Sequence, residues 1–270
     1  MGPWRDAWSV HLEGLTLVAG VLSLVWVVSV VKKDASIIDP CWGPGFVLIG
    51  WYWHLRFGAE SLRAAAQLGA VTLWGVRLGA YLTWRAWGED EDRRYRAMRA
   101  KAPRAFPWVS LASVFWLQAV ILAVVAAPLF VVQGATGAPG WTLLDGVGVG
   151  LFAVGLAFES VGDWQLARFK ADPANAGKVL DRGLWRFTRH PNYFGDALVW
   201  WGLGLMAVSV SGGWLALVGP AVMTLFLMKV SGVALLERSL AKTKPAYRDY
   251  VRRTPAFVPW FPKRSDETQT

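Results

Sequence analysis

The sequence RHPNYFGD occupies residues 189–196 and opens a long apolar run at residues 197–210. A cation, an imidazole, a helix-starting proline, an amide, a phenol and a carboxylate therefore meet at the mouth of a segment long enough to enter a membrane. Because burying polar groups in hydrocarbon costs much free energy, such a cluster marks a candidate functional site. The stretch predicts an enzyme whose site lies at the boundary between membrane and water.

The composition indicates an integral membrane protein. Of the 270 residues, 54% are hydrophobic and 17% are charged, whereas charged residues make up about 25% of a typical soluble domain. The apolar residues come in blocks, as membrane-crossing helices require. One cysteine, Cys41, excludes an internal disulfide framework in this chain. The chain has only three histidines in addition to this cysteine, so we expect no metal site.

Seven apolar stretches have the length of roughly 20 residues that a bilayer crossing requires. They are residues 12–31, 37–57, 62–87, 107–132, 141–162, 192–211 and 213–236. We therefore predict an all-α bundle of seven transmembrane helices that forms a single membrane domain over residues 1–270. Pro128 and Pro220 lie inside two of these stretches and are expected to kink them.

The basic residues are divided unequally between the connecting segments. The segments predicted on one side of the membrane hold 22 Lys and Arg residues, and those on the other side hold 3. Basic loops face the cytoplasm, which gives an outside N-terminus and a cytoplasmic C-terminus. We expect an integral membrane protein with no obligate protein partner. The net charge of +9 then reflects its loops and not a nucleic-acid partner.

Two predicted spans carry polar residues at helical spacing. Glu159 and Asp163 share one face of the fifth span, and the deeper Glu159 is the better functional candidate because the cost of burial grows with depth. Asp163 alone is better explained as a carboxylate that reaches water or pairs with Arg77. Arg77, Tyr81 and Arg85 form a stripe on the third span. This stripe has two open interpretations, an ion pair within the bundle and the binding of a phosphorylated ligand.

The loop before residues 189–196 is basic. Three arginines lie close together in it, Arg182, Arg186 and Arg189. Pro191 suits the first position of the sixth helix, and the free N–H groups of a helix start favour an anion. A multiply phosphorylated cofactor fits this arrangement. Contact with anionic lipid headgroups is the alternative, although it does not explain the polar residues that follow Pro191.

The chain resembles the steroid 5-alpha-reductase superfamily, and within it a bacterial branch known as a domain of unknown function. The most specific element is His-Pro-Asn-Tyr-x-Gly-acid at residues 190–196. Supporting elements are IDPCWG at 38–43, RL at 77–78, YL at 81–82, ED at 89–90, RY at 94–95, Glu159 with DxQL at 163–166, GLW at 183–185, and YxxY at 247–250 with Pro259. The resemblance covers most of the chain.

This resemblance implies a seven-helix fold with NADPH in a cavity open to the cytosol. It also implies reduction of a carbon–carbon double bond conjugated to a ketone. The expected partners are a lipophilic small-molecule substrate, steroid-like or another enone, and the membrane lipids. The family pattern places Glu159, Asp163, Lys170, Asn192 and Asp196 at the cofactor. Charge and position add Arg182, Arg186 and Arg189, and the motif adds His190 and Tyr193.

The substrate side departs from the steroid reductases. They hold the enone with a Gln or Glu and a Tyr, whereas this chain offers Asp39 as the acid and Trp74 in the place of the Tyr. We predict Asp39 and Arg77 as the catalytic residues. A helix cap before Pro40 is the alternative role for Asp39.

Two other functions compete with the reductase. Membrane methyltransferases of the isoprenylcysteine carboxyl type share an Arg-His-Pro-x-Tyr element and use S-adenosylmethionine, but Asn192, the spacing to Asp196 and the arginine-rich loop favour a phosphorylated dinucleotide. A non-catalytic transporter or scaffold is the other alternative. Transporters often carry broken helices in two matching halves, and we find no such pairing in this sequence.

Overall fold

The computed structural model describes residues 3–136, 140–230, 237 and 246–263, and every regular element in these ranges is helical. The chain divides into two compact units. Unit 1 comprises Met1–Thr142 and Met206–Gly219, and unit 2 comprises Leu143–Leu205 and Pro220–Thr270. The all-helical class is therefore confirmed. The assignment of residues 1–270 to a single membrane domain stays a prediction.

The described α-helices are α1 Pro3–Lys32, α2 Trp42–Phe57, α3 Leu62–Ala86, α4 Arg93–Lys101, α5 Phe106–Ser110, α6 Leu117–Val125, α7 Ala127–Gln133, α8 Leu143–Ala171, α9 Pro191–Val208, α10 Val218–Leu225 and α11 Ala246–Arg253. Short 3₁₀ turns lie at Ala35–Cys41, Pro173–Asn175, Gly183–Arg186 and Gly213–Leu217, and π-helical turns lie at Leu111–Trp116 and Phe226–Val230.

Among the residues that the structure describes, three stretches of helix are long and apolar enough to cross a membrane. They are Trp8–Lys32, Phe106–Val125 and Leu143–Ala171. This is consistent with an integral membrane protein. The count of seven spans and the orientation of the termini stay predictions, and the last predicted span, 213–236, runs beyond Val230 into residues outside the described ranges.

Several helix ends differ from the predicted spans, for local reasons. The predicted span 37–57 begins as a 3₁₀ turn with Pro40 inside it, and α2 starts only at Trp42. Pro128 does not kink a continuous helix: α6 ends at Val125, and Pro128 occupies the first turn of α7, where its missing N–H is tolerated. The fifth span continues beyond residue 162 to Ala171, and Asp172-Pro173 then ends the helix.

The core of unit 1 is built around α2, which contacts α1, α3, α6 and α7. Phe46, Ile49 and Trp53 lie on one face of α2 at helical spacing and are fully buried. Val71 and Trp74 of α3 are fully buried as well. Trp74 packs its ring against Phe46 at a centroid distance of 5.6 Å.

Glycines bring the backbones of α2 and α3 into contact. A Cβ added at Gly43 would lie 2.4 Å from the carbonyl oxygen of Gly75, and one added at Gly75 would lie 2.6 Å from that of Gly43. Gly79, four residues after Gly75, faces Pro44 in the same way, with 2.7 Å to its ring. The spacing Gly-x-x-x-Gly on α3 is typical of close helix pairs in membranes.

The same principle joins α8 and α9 in unit 2. A Cβ at Gly155 would lie 2.6 Å from the carbonyl oxygen of Gly195, and one at Gly195 would lie 2.4 Å from the backbone nitrogen of Glu159. Two turns further along α9, a Cβ at Gly202 would lie 2.5 Å from the carbonyl oxygen of Gly148 on α8. These glycines repeat every seven residues, a period that keeps them on one helix face.

The glycine contact in unit 1 makes a prediction about stability. Gly75→Ala should lower the free energy of unfolding by about 1–3 kcal/mol, because the added methyl group must push two backbones apart. Gly69 lies on the same helix and has open space at its Cβ position, so Gly69→Ala is the matched control and should leave stability unchanged or slightly raised. Thermal unfolding of the full chain in detergent measures both. Equal midpoints for the two variants would contradict the contact.

Candidate functional site

A buried polar cluster lies where α8 and α9 meet. Glu159 and Asp163 of α8 are 3% and 4% exposed, and Asp196 of α9 is 9% exposed. The amide Nδ2 of Asn192 donates to Oδ1 of Asp163 over 3.1 Å, and its Oδ1 accepts from the backbone N–H of Tyr193 over 3.1 Å. The structure thus brings together four of the predicted cofactor residues within unit 2 and buries three carboxyl groups among them.

The residues that precede α9 are held by a brace. Arg189 is buried and donates from Nε and Nη2 to the carboxylate of Glu237 over 2.7 and 3.1 Å. Its Nη1 donates to the carbonyl oxygens of Val251, over 3.0 Å, and of Thr254. All three guanidinium nitrogens therefore bind protein groups. Arg189 fastens the start of α9 to the C-terminal segment, residues 246–263. Its predicted contact with a cofactor stays a prediction.

His190 belongs to the same brace. Its Nε2 lies 3.1 Å from Oε1 of Glu237, and its ring stacks on that of Tyr193 with a centroid distance of 5.4 Å and an interplanar angle of 4°. Burial alone would raise the pKa of Glu237, but the hydrogen bonds from His190 and Arg189 outweigh burial and lower the pKa below its ordinary value. Glu237 thus stays ionised as the shared acceptor.

Two adjoining cavities lie beside the 3₁₀ turn Gly183–Arg186. The larger has a volume of about 690 Å³ and the smaller about 540 Å³. Both are lined by Arg182 and Gly183. Gly183 has a φ of +63°, a left-handed conformation that glycine adopts without strain.

The larger cavity is lined by residues of two kinds. Aromatic and apolar residues are Trp164, Phe169, Ala171 and Leu180; polar and charged residues are Gln165, Arg168, Asp172, Asn175 and Arg182. Gln165 also accepts from the backbone N–H of Leu184 over 3.0 Å. Trp185 donates from Nε1 to the carbonyl oxygen of Gly162 over 3.1 Å. These two bonds hold the 3₁₀ turn against α8, one or two residues from Asp163.

The smaller cavity is lined by Asp181, Arg182, Gly183, Arg186, Arg253, Thr254, Pro262 and Lys263. Two predicted cofactor residues, Arg182 and Arg186, therefore face a cavity, together with two cations from the C-terminal segment. Lys170, also predicted, lies in the last turn of α8.

The two predicted catalytic residues lie in unit 1. The carboxylate of Asp39 accepts from Nη2 of Arg94 over 2.7 Å and from the hydroxyl of Tyr95 over 2.8 Å. Burial, and then the charge of Asp39, raise the pKa of Tyr95 well above its ordinary value. The guanidinium of Arg77 lies over the ring of Tyr81 at 5.6 Å. Asp39 is thus the centre of a polar contact between the 3₁₀ turn and α4.

The side-chain cap of that turn is a different residue. Asp34 accepts from the backbone N–H of Ser36 over 2.8 Å and occupies the N-cap position. The described contacts of Asp39 go to α4, so the alternative of a helix cap before Pro40 is not favoured by this geometry.

Three residues of the site were not predicted as members of it, Glu237, Arg253 and Lys263. From the sequence, Glu237 is expected to be a solvated residue at the end of an apolar stretch. Its partners are 47 and 48 residues away along the chain. Arg253 directly follows Arg252 in α11, and the sequence alone gives no reason to distinguish these two arginines. Only the fold separates the arginine that lines a cavity from its neighbour.

Comparisons with known proteins identify relatives without an assigned function. The family model described as "Protein of unknown function (DUF1295)" matches residues 25–254. An uncharacterized protein of Schizosaccharomyces pombe, C594.04c, is 25% identical over 279 residues, which covers 91% of this chain and 78% of that protein. No solved structure matches the chain.

The brace makes a prediction about pH dependence. Because the pKa of Glu237 is lowered in the folded chain from 4.5, its contribution to stability is present above that ordinary value and is lost as the pH falls through the lower, folded value. The unfolding midpoint of Glu237→Gln should therefore lie below that of the wild type at about pH 6, and the gap should narrow as the pH is lowered from there to about 3.5.

Thermal unfolding across this range, in the same detergent, measures the gap. Asp249→Asn is the control, since Asp249 is an exposed carboxylate paired only with Arg252 among the described contacts, and it should change the midpoint little at any pH. A gap for Glu237→Gln that stays constant between the two pH values would contradict the brace.

Proposed function

We propose that this chain, which belongs to the DUF1295 family of proteins of unknown function, is a membrane-embedded reductase that uses NADPH. The proposed reaction reduces a carbon–carbon double bond conjugated to a ketone in a lipophilic, steroid-like or other enone substrate. The resemblance to steroid 5-alpha-reductases at residues 190–196 and their supporting elements motivates the reaction. We place the site at the cytoplasmic face of a bacterial inner membrane, where the basic connectors are predicted.

The observation that carries the proposal is the buried polar cluster of α8 and α9 next to cation-lined cavities. Asp163 is followed on α8 by Trp164 and Gln165, which line the larger cavity. Burying Glu159, Asp163 and Asp196 is costly unless they have partners. Burying several carboxyl groups adds little to the stability of a fold. A cluster of this kind near a cavity is therefore a candidate binding site.

The residues present fit a phosphorylated dinucleotide. Trp164 and Phe169 line a cavity of about 690 Å³, a volume within the usual range for ligand pockets. Arginines on the walls supply the planar donors that phosphate oxygens bind best. The carboxylate and amide pair of Asp163 and Asn192 supplies acceptors and donors for hydroxyl or carboxamide groups. NADPH, when bound, supplies the hydride.

The protein's part in such a reaction is binding, orientation and the handling of charge. Asp163 and Asn192 hold each other in one arrangement over 3.1 Å, which limits the side-chain entropy lost when a ligand binds. Hydride addition to the β-carbon leaves negative charge on the ketone oxygen, and a hydrogen-bond donor or cation stabilises this charge. Of the two predicted catalytic residues, only the cation Arg77 suits this task by its chemistry, because the Asp39 carboxylate is an acceptor that already binds the Tyr95 hydroxyl.

Binding of NADPH by the purified full chain tests the assignment. NADPH should raise the unfolding midpoint in detergent, and Asp163→Ala and Asn192→Ala should each weaken NADPH binding about tenfold, as expected for loss of one hydrogen bond to a polar ligand group. Asp249→Asn, outside both cavities, is the control and should bind as the wild type does. Oxidation of NADPH with a panel of enones, followed by mass spectrometry of the products, then identifies the reduced bond.

Two results would point to the competing functions. Protection from heat by S-adenosylmethionine, with no effect of NADPH, would replace the reductase with a methyltransferase. Movement of a solute across liposomes by a protein that binds neither compound would support a transporter.

A further inference from the structure

The smaller cavity has an unusual charge distribution, and we call it the basic cleft. Four cations line its volume of about 540 Å³, namely Arg182, Arg186, Arg253 and Lys263. Among the described lining residues, Asp181 is the only carboxylate. The cations come from two parts of the chain about 70 residues apart in the sequence, the turn before α9 and the segment that includes the end of α11.

Backbone hydrogen bonds hold these two parts together. The N–H of Lys263 donates to the carbonyl oxygen of Arg253 over 3.0 Å, which fixes both residues at one side of the basic cleft. The N–H of Trp260 donates to the carbonyl oxygen of Phe187 over 2.9 Å, and the N–H of Arg189 donates to that of Pro255 over 2.9 Å. The Arg189 brace adds side-chain bonds to the same segment. The positions of these cations are therefore fixed by backbone contacts of the fold.

The protein itself neutralises this charge only in part. Asp181 lies 3.4 Å from Arg253, and both side chains are about half exposed, at 52% and 45%; such exposed pairs contribute little. Arg182 and Arg186 lie over the rings of Phe169 and Phe187 at 5.9 and 6.0 Å. Aromatic contacts orient an arginine but supply no negative charge.

We propose that the basic cleft binds a phosphate group, with Arg253 and Lys263 as binding residues alongside Arg186. Guanidinium groups match phosphate oxygens in two-point contacts, and a lysine adds a compact charge. Several cations held near each other repel, and a bound phosphate offsets that repulsion. The fold thus supplies a site that an anion completes.

Two molecules supply this chemistry. One is the phosphate of NADPH that NADH lacks, and this source rests on the proposed function. The other is the headgroup of an anionic lipid, which is compatible with the exposed Trp260 and Phe261 beside Lys263, at 71% and 74% exposure, since aromatic residues favour the membrane interface. Both sources use the same cations, and their tests differ.

The test uses Arg253→Gln combined with Lys263→Gln in the full chain, and Lys263→Gln alone as a milder variant. Arg252→Gln is the matched control, because Arg252 is the neighbouring exposed arginine of α11 and pairs with Asp249 outside the basic cleft. Affinities for NADPH and for NADH are measured in detergent. In parallel, the rise in unfolding midpoint is measured on adding phosphatidylglycerol or, for comparison, phosphatidylcholine.

If the phosphate belongs to the nucleotide, the double variant should lose about tenfold or more in affinity for NADPH while its affinity for NADH stays unchanged. If it belongs to a lipid, the double variant should lose the stabilisation by phosphatidylglycerol while its response to phosphatidylcholine and to both nucleotides stays unchanged. Either result, with a smaller effect of Lys263→Gln and none of Arg252→Gln, supports the phosphate site.

The site is overturned if the double variant behaves as Arg252→Gln does in both measurements. A wild-type chain that binds neither nucleotide counts against the proposed function, and the lipid measurement then decides the basic cleft by itself. The cations are exposed, so the variants should unfold at midpoints close to that of the wild type.

Discussion

The close approach of two helix backbones at glycine is the constraint on which unit 2 depends. At Gly155 and Gly195 there is no room for a single carbon atom, since its nearest neighbours would be backbone atoms at 2.6 and 2.4 Å. Helices in such contact cannot slide or rotate past each other without collision. The register of α8 against α9 is therefore set by the glycines, and it places Asn192 within hydrogen-bond distance of Asp163. Polar residues are held in place by apolar packing.

Charge is arranged differently in two regions of unit 2. The carboxyl groups of Glu159, Asp163 and Asp196 are buried between helices, whereas Arg186, Arg253 and Lys263 are exposed around the basic cleft. Buried groups are costly and must be held by specific partners, while exposed cations can exchange water for a ligand at little cost. The Arg189–Glu237 brace connects the two regions, because it fixes the start of α9 and the C-terminal segment to one another.

Much of this arrangement follows from local sequence patterns. The helical class, the start of α9 at Pro191 and the shared face of Glu159 and Asp163 could be predicted from composition, proline chemistry and helical spacing. The end of α8 could not, because hydropathy falls at residue 162 while nothing in the backbone stops the helix before Asp172-Pro173. The hydropathy pattern gives the length of the apolar stretch that can cross a bilayer. It does not give the full length of the helix that contains this stretch.

The partners of the site could be predicted only in part. The RHPNYFGD stretch marks the site correctly as a polar helix start, but two of its residues, Arg189 and His190, bind Glu237, whose position in the sequence gives no hint of this contact. Arg253 and Arg252 differ only in the direction that α11 gives them. Long-range contacts of this kind depend on the packing of the C-terminal segment, which no local period encodes.

The most direct measurement of the central claim compares two glycines of one helix pair. Gly195→Ala adds a methyl group where α8 and α9 touch, whereas Gly150→Ala adds it to α8 in open space. The unfolding midpoint and NADPH affinity of both variants are measured in the same detergent. We expect Gly195→Ala to lose stability and nucleotide binding together, although it removes no polar group, and Gly150→Ala to keep both. A Gly195→Ala protein with wild-type midpoint and wild-type affinity would contradict the claim that glycine packing builds the site.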